Sequence, residues 1–399
     1  MHLSPPGMTL INARLSGGEI GCVRIVGARI AAVGGAAQRG DSVVDLDGDR
    51  LLPGLINAHD HLQLNSLTRP ASSRSYAHAR EWIADVDARR TADPEFEAGV
   101  AVARDERLLI GGLKNLLSGV TTVAHHDPYY ASLSGEYPTR VLFRYGWAHS
   151  LYVDGEQKVG SSYRATPRRW PWIIHAAEGV DGEAAQEFER LEALGCLGPN
   201  TLLVHGVALG RAQRLRLDRA AAGLIWCPSS NLHLFGKTAD VAELAARGRV
   251  ALGTDSRLSG ARDLLEELRL AGGLGVVDDS LLEAMVTRDG ARLLRLGDRG
   301  ELRAGMRADL LIVPARKGLG TASRADVRLV LIDGIVRYGD LDLARRAAPQ
   351  GEWAEIGVDG RAKILQPSIA TLLRRAPIGE PGLTLAVPAG EAVAGEAAA

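Results

Sequence analysis

Cysteine is scarce in this chain: Cys22, Cys196 and Cys227 are the only three in 399 residues. They are odd in number and far apart, so neither a disulfide framework nor a Cys-X-X-Cys metal knuckle can be built from them. That suits a reducing compartment. Net charge is equally lacking. With 47 basic residues against 48 acidic ones, the chain has no overall field to draw nucleic acid or an anionic membrane, and neither is expected as a partner. No uninterrupted apolar run approaches the roughly 20 residues that span a bilayer, and the start, MHLSPPGMTLINARL, has no charged leader with an apolar segment behind it. A cytoplasmic, unexported protein is expected. Internal repeats are absent as well. What is present is an ordinary globular composition, 46% hydrophobic, able to fill one large α/β barrel or two to three smaller domains.

Short β-like runs split by glycine occupy the beginning (MTLINARL, GCVRIVGARIAAVG, SVVDLDG) and recur near the end (GMRADLLIVPA, VRLVLIDGIVRYGD). These flanks read as two halves of one β-sandwich, residues 1–54 and 297–345. Between them, over 55–296, strand-sized apolar runs alternate with amphipathic helical stretches, which argues for a parallel sheet with helical crossovers. Seven strands are legible: the run before His59, then VTTVAHHD, TRVLFRYGWAH, PWIIHAAE, NTLLVHGV, AGLIWCPSSN and VALGTDS. A closed barrel needs eight. The missing fourth is expected between Ser150 and Arg169, where the sequence is short and polar, so a trimmed or distorted barrel is anticipated there. Residues 346–399 read as a C-terminal extension whose Ala, Gly and Pro-rich end, AVPAGEAVAGEAAA, is expected to be disordered.

Within LLPGLINAHDHLQLN, His59 and His61 stand one residue apart. On a strand such residues project from the same side, close enough to grip one ion. His175, His205 and Asp255 each close an apolar run, at the C-terminal strand ends where parallel barrels collect their catalytic groups. Asp255 could instead merely cap the helix that follows. Imidazoles with one carboxylate suit zinc, iron or manganese, and the lack of thiolates argues for open coordination rather than a closed structural zinc site. His126 and Asp127 after the second strand, His149 after the third, and Ser230 and Asn231 in CPSSN are the candidates to line a substrate pocket, with His126 preferred over His125.

The ordered set PGLINAHDH, HAAE, LVHG, WCPSSN and LGTDS resembles the amidohydrolase superfamily, in the branch of aminohydrolases and chlorohydrolases acting on heterocycles. The resemblance covers about residues 8 to 340 and implies a distorted (β/α)8 TIM barrel with a small β-sandwich formed from both chain ends. It implies one divalent ion, zinc foremost with iron or manganese as alternatives, held by His59, His61, His175 and Asp255. His205 would sit beside the attacking water, Asp255 would take its proton, and Glu178, three residues after His175, would shuttle protons. A carboxylated lysine late in the barrel, the bridge of binuclear members, has no counterpart here, which favours a single ion. The implied reaction on a small-molecule substrate is hydrolytic loss of ammonia from a purine, pterin or triazine type of heterocycle. Hydrolysis of a cyclic amide or of a C–Cl bond on the same scaffold is the alternative, and a non-catalytic scaffold protein a distant one, since such degenerate relatives lose ligands that are all present here. The resemblance also leans towards a homodimer. The cytidine-deaminase type of zinc site is excluded by the absence of Pro-Cys-X-X-Cys.

Overall fold

In the computed structural model, residues 7–69 and 74–385 are described; the last residues of the tail lie outside them. The eight barrel strands are all present: β6 (Leu55–Asp60), β7 (Val120–His125), β8 (Arg140–Val141), β9 (Gly146–Ser150), β10 (Trp172–Ala176), β11 (Thr201–His205), β12 (Gly223–Trp226) and β13 (Val250–Leu252). They follow five strands of the N-terminal region, β1 (Met8–Arg14), β2 (Ile20–Val26), β3 (Arg29–Val33), β4 (Ser42–Asp45) and β5 (Arg50–Pro53). The barrel is a distorted one. Its parallel ladders form two arcs, β6-β7-β8 and β9-β10-β11-β12-β13, and the second arc returns to the first through Asp255 N–H donating to the His59 carbonyl at 3.1 Å.

The fourth strand is not where the sequence places it. TRVLFRYGWAH reads as one strand, but Leu142 to Tyr145 break it into β8 and β9, whereas the polar stretch expected to hold the missing strand is the helix Leu151–Ala165. His149 therefore closes the fourth strand rather than the third.

The strand sequences explain the layers. Parallel strands covered by helices bury both faces and read as continuous apolar runs, as every residue of β10, β11 and β12 does. One set of alternating residues, including Ile173, Leu202, Val204, Ile225 and Ala251, packs together. The other set, including Ile174, Leu203, Leu224 and Leu252, packs with helical residues such as Leu113, Phe188 and Leu217. Full burial of each such side chain is worth about 1.5–3 kcal/mol.

The chain ends share one sheet. It runs β19-β17-β18-β16-β15-β14-β5-β1-β2-β3, with β4 paired to β1, where β14 is Leu310–Val313, β15 Leu329–Ile332, β16 Ile335–Gly339, β17 Ala354–Val358, β18 Arg361–Leu365 and β19 Leu383–Leu385. The two halves meet where β5 pairs antiparallel with β14. Three strands thus come from the stretch read as an extension. They are also tied down electrostatically: Glu380, fully buried, accepts from Arg324 at 2.6 Å and from Arg257 at 2.5 and 2.8 Å. Among the described residues no helix is long and apolar enough to cross a membrane, and the three cysteines are free and buried.

Candidate metal centre

The ends of β6, β10, β11 and β13 converge. His175 Nε2 lies 3.4 Å from both His59 Nε2 and His61 Nε2, and Asp255 Oδ1 lies 3.7 Å from His59 Nε2 and 4.0 Å from His61 Nε2. The partners on the far side of two rings assign their tautomers. His175 Nδ1 faces the His149 carbonyl at 2.8 Å and His61 Nδ1 faces Asp127 Oδ2 at 2.7 Å; both partners only accept, so both Nδ1 atoms carry the proton. With both rings neutral, each Nε2 points a lone pair at the other, a conflict that only positive charge between or on the rings relieves. A cation resolves that conflict, and a donor set of imidazoles plus one carboxylate, with His61, His175 and Asp255 hydrogen-bonded behind, fits a divalent ion.

The charges around the cluster point the same way. Burial alone would depress His61, but Asp127, with Asp255 and Asp60 behind it, pushes it up to about 9; the acids favour positive charge at this nitrogen. Burial holds His59 and His149 down to about 4. His175 lies well below the usual range through burial and the crowding of His126 and His149. Asp255 stays well below the carboxylate range despite burial, because His59, His61 and His205 face it.

Two of these residues are aimed by unusual backbone. His205 and Asp255 sit at φ +74° and +55°, in the left-handed region that costs a non-glycine residue about 1–3 kcal/mol, and the turn sends each side chain across the mouth instead of along the strand. Ala177, at φ +53°, does the same for Glu178. The Glu178 carboxyl lies 3.4 Å from His205 Nε2 through Oε1 and accepts from the Tyr152 hydroxyl at 3.2 Å through Oε2. Burial raises its pKa against the pull of His205.

The sequence-derived pocket residues divide. His149 lines the cavity over the cluster, with Asp127 beside it. Ser230 and Asn231 do not line it. Both are fully buried and work from behind: Ser230 Oγ donates to Asp255 Oδ2 at 2.7 Å, and Asn231 Oδ1 accepts from His205 Nδ1 at 2.8 Å. They belong to the Pro228–Phe235 helix, whose first turn brings them against the side chains at the His205 and Asp255 turns. His126 is displaced in the same sense. Its Nε2 donates to the Ala148 carbonyl at 3.0 Å, its ring packs 4.3 Å from that of His175, and its Nδ1, buried without a partner, is left among the other imidazoles. His125 accepts from Leu62 N–H at 3.3 Å and does not line the cavity either.

Several residues had no signal in the sequence. Tyr152 follows a strand that was not recognised, and Ser259 donates a second hydroxyl to Asp255 Oδ2 at 2.7 Å from an irregular loop. Trp82, Ile83 and Val86 of the Ala79–Ala92 helix form an apolar wall opposite the cluster, joined by Leu234 and Leu258. The cavity is about 320 Å³ and open to solvent on one side, with a polar floor and an apolar wall that suit a flat ring.

Residues 172–336, which carry β10 to β15, match the model of the amidohydrolase family. Over that stretch the chain is similar to this family. Among the relatives, the 5-methylthioadenosine/S-adenosylhomocysteine deaminase of Halobacterium salinarum is 26% identical over 394 residues, covering 82% of this chain and 90% of the relative. Among solved structures, an adenosine deaminase from Xanthomonas campestris with bound zinc superposes with a TM-score of 0.68 at 19% identity, covering 84% of this chain and 94% of that one. The zinc-complexed atrazine chlorohydrolase of Arthrobacter aurescens gives 0.68 at 18% identity, with 82% and 94% covered. These structures share the barrel with its sheet from the chain ends.

Proposed function

We propose that this protein is an amidohydrolase, a metal-dependent hydrolase that removes ammonia from an amino-substituted heterocycle of the purine, pterin or triazine type. The observation that carries the proposal is the meeting of bare imidazole nitrogens beside Asp255, with Glu178 poised at the edge of the same cavity. In this reading His59, His61, His175 and Asp255 hold one divalent ion, zinc foremost. Such an ion supplies Lewis acidity and ionises water near neutral pH.

The remaining chemistry belongs to side chains. Glu178, its pKa raised by burial and one oxygen held by Tyr152, delivers a proton to the ring nitrogen beside the carbon under attack, then takes the proton of the added hydroxyl and passes it to the departing amine. His205 and Asp255 are the acceptors for the proton the attacking water loses. His205 is the better placed, because Nδ1 donates to Asn231 and leaves Nε2, 3.4 Å from the Glu178 carboxyl, as the acceptor, whereas both Asp255 oxygens already accept hydrogen bonds. His149 and Asp127 face the substrate from the floor, and the Trp82 wall covers its apolar face. The names of the relatives, deaminases of adenosine-type compounds and a triazine chlorohydrolase, agree with a ring substrate.

The test is a panel of aminopurines, adenosine thioethers, pterins and triazines presented to protein of measured metal content. Release of ammonia that stops on dialysis against a chelator and returns with zinc supports the reading. Ring-opened acid or chloride as the sole product would transfer it to the alternative chemistries on this scaffold.

A further inference from the structure

Only five of the 47 basic residues are lysines, and one of them is fully buried behind the metal centre. Lys114 lies on the Arg104–Leu117 helix. Its ammonium donates to Asn65 Oδ1 at 2.8 Å, to the Asp255 backbone carbonyl at 2.8 Å and to Thr254 Oγ1 at 3.0 Å, and stands 3.2 Å from Asp60 Oδ2. An ammonium has three protons, and each has an acceptor. Burying this charge is costly in proportion to the water it gives up, and arrangements of this kind are best attested where they fix a register.

The acceptors belong to the pieces that must stay in register for the ligands to meet. Asp60 lies between His59 and His61. Asp255 is itself one of the proposed ligands, and its carbonyl is turned towards Lys114 because the residue sits at φ +55°. Asn65 joins the two, accepting from Lys114 and from Arg257 N–H through Oδ1 while its amide donates to Asp60 Oδ1 at 2.8 Å. Thr254 and Asn57 close the ring: Asn57 Nδ2 donates to Thr254 Oγ1 at 2.9 Å and Thr254 N–H donates to Asn57 Oδ1 at 3.1 Å. We infer that Lys114 is a positioning residue, clamping the backs of the first-strand histidine pair and the Asp255 turn so that the proposed ligands are pre-set for the ion. The inference rests on the function proposed above.

The test measures zinc retention by competition with a chromophoric chelator, which reads the site without turnover. Lys114→Met leaves Asp60 buried and unpaired, so the double variant Lys114→Met with Asp60→Asn, neutral on both sides, is measured beside it, each with a thermal melt. The expected result is that both variants, where folded, lose zinc affinity by tenfold or more, and that kcat falls with it while KM changes less than threefold. If the double variant folds and holds zinc as the unaltered chain does, Lys114 only balances Asp60 and the inference is overturned. Failure of the unaltered chain to bind zinc would sink the proposed function and this inference with it, whereas normal zinc binding with undiminished retention in the variants overturns the role of Lys114 alone.

Discussion

Glu178 is the side chain on which the proposed chemistry turns, and its surroundings separate its role from that of the ligands. Replacing it by glutamine keeps the volume and the acceptor for Tyr152 but removes the proton. The expected outcome is a loss in kcat of about 10²- to 10⁴-fold, the range for one general acid, with zinc content unchanged by elemental analysis. Asp127 should behave in the opposite way. It orients His61 and raises the basicity of that ring, so Asp127→Asn is expected to weaken zinc binding by about 10- to 100-fold, measured by chelator competition. That His59, His61, His175 and Asp255 would meet was legible because a two-residue spacing on a strand and a polar residue closing an apolar run are both local patterns. Ser230, Asn231 and His126 were misplaced for a physical reason. Which side of a strand end faces the cavity depends on the left-handed turns at His205 and Asp255, and nothing in CPSSN or AHHD marks a neighbouring turn as left-handed.

Among the elements, the Arg104–Leu117 helix approaches the turn after His61 at Gly111, where an added Cβ would come within 2.4 Å of the Leu62 carbonyl oxygen. Gly111→Ala must push apart two backbones, and a loss of about 1–3 kcal/mol is expected, read as a shifted denaturant midpoint. The Leu264–Gly273 helix supports the site from the other side. Its buried Glu267 accepts from Ser229 N–H at 2.9 Å, at the start of the helix that carries Ser230 and Asn231. Burial pushes the Glu267 carboxyl up to about 8 from an ordinary 4.5. Between those values the folded chain holds a proton that the unfolded chain has released, so stability from this group is whole below 4.5 and falls as pH rises towards 8. Glu267→Gln should therefore match the unaltered chain in melting temperature at pH 4.5 and exceed it progressively up to pH 8; a constant offset would contradict this. Helices and most strands were readable from their periodicity. The fourth strand was not, because β8 has two residues and a short break joins it to β9 in one apolar-looking run, and a two-residue strand carries no period.

At the scale of the whole molecule, the sheet that joins the chain ends and the barrel are linked through charge as well as backbone. Arg324 is almost fully buried, with Glu380 and Asp359 as its acids, and Glu380 also holds Arg257, two residues beyond Asp255. Glu380→Ala should cost up to about 3 kcal/mol, below the full penalty of an orphaned buried charge because Asp359 remains. A two-probe denaturation, following zinc loss and unfolding together, would show zinc leaving first if the Arg257 loop is released. The sequence revealed the sheet's two halves but not its last three strands, because β17 to β19 lie in a stretch whose composition resembles a tail and whose partners are distant in the chain.

The pairing of β5 with β14 has a consequence for how this protein is born. A ribosome releases β1 to β5 first and their partners some 250 residues later, at about 5–20 residues per second. For those tens of seconds the opening strands emerge with an unsatisfied edge and an apolar face that nothing yet covers. Newly made chains thus pass through a window of adhesiveness that the finished protein does not share.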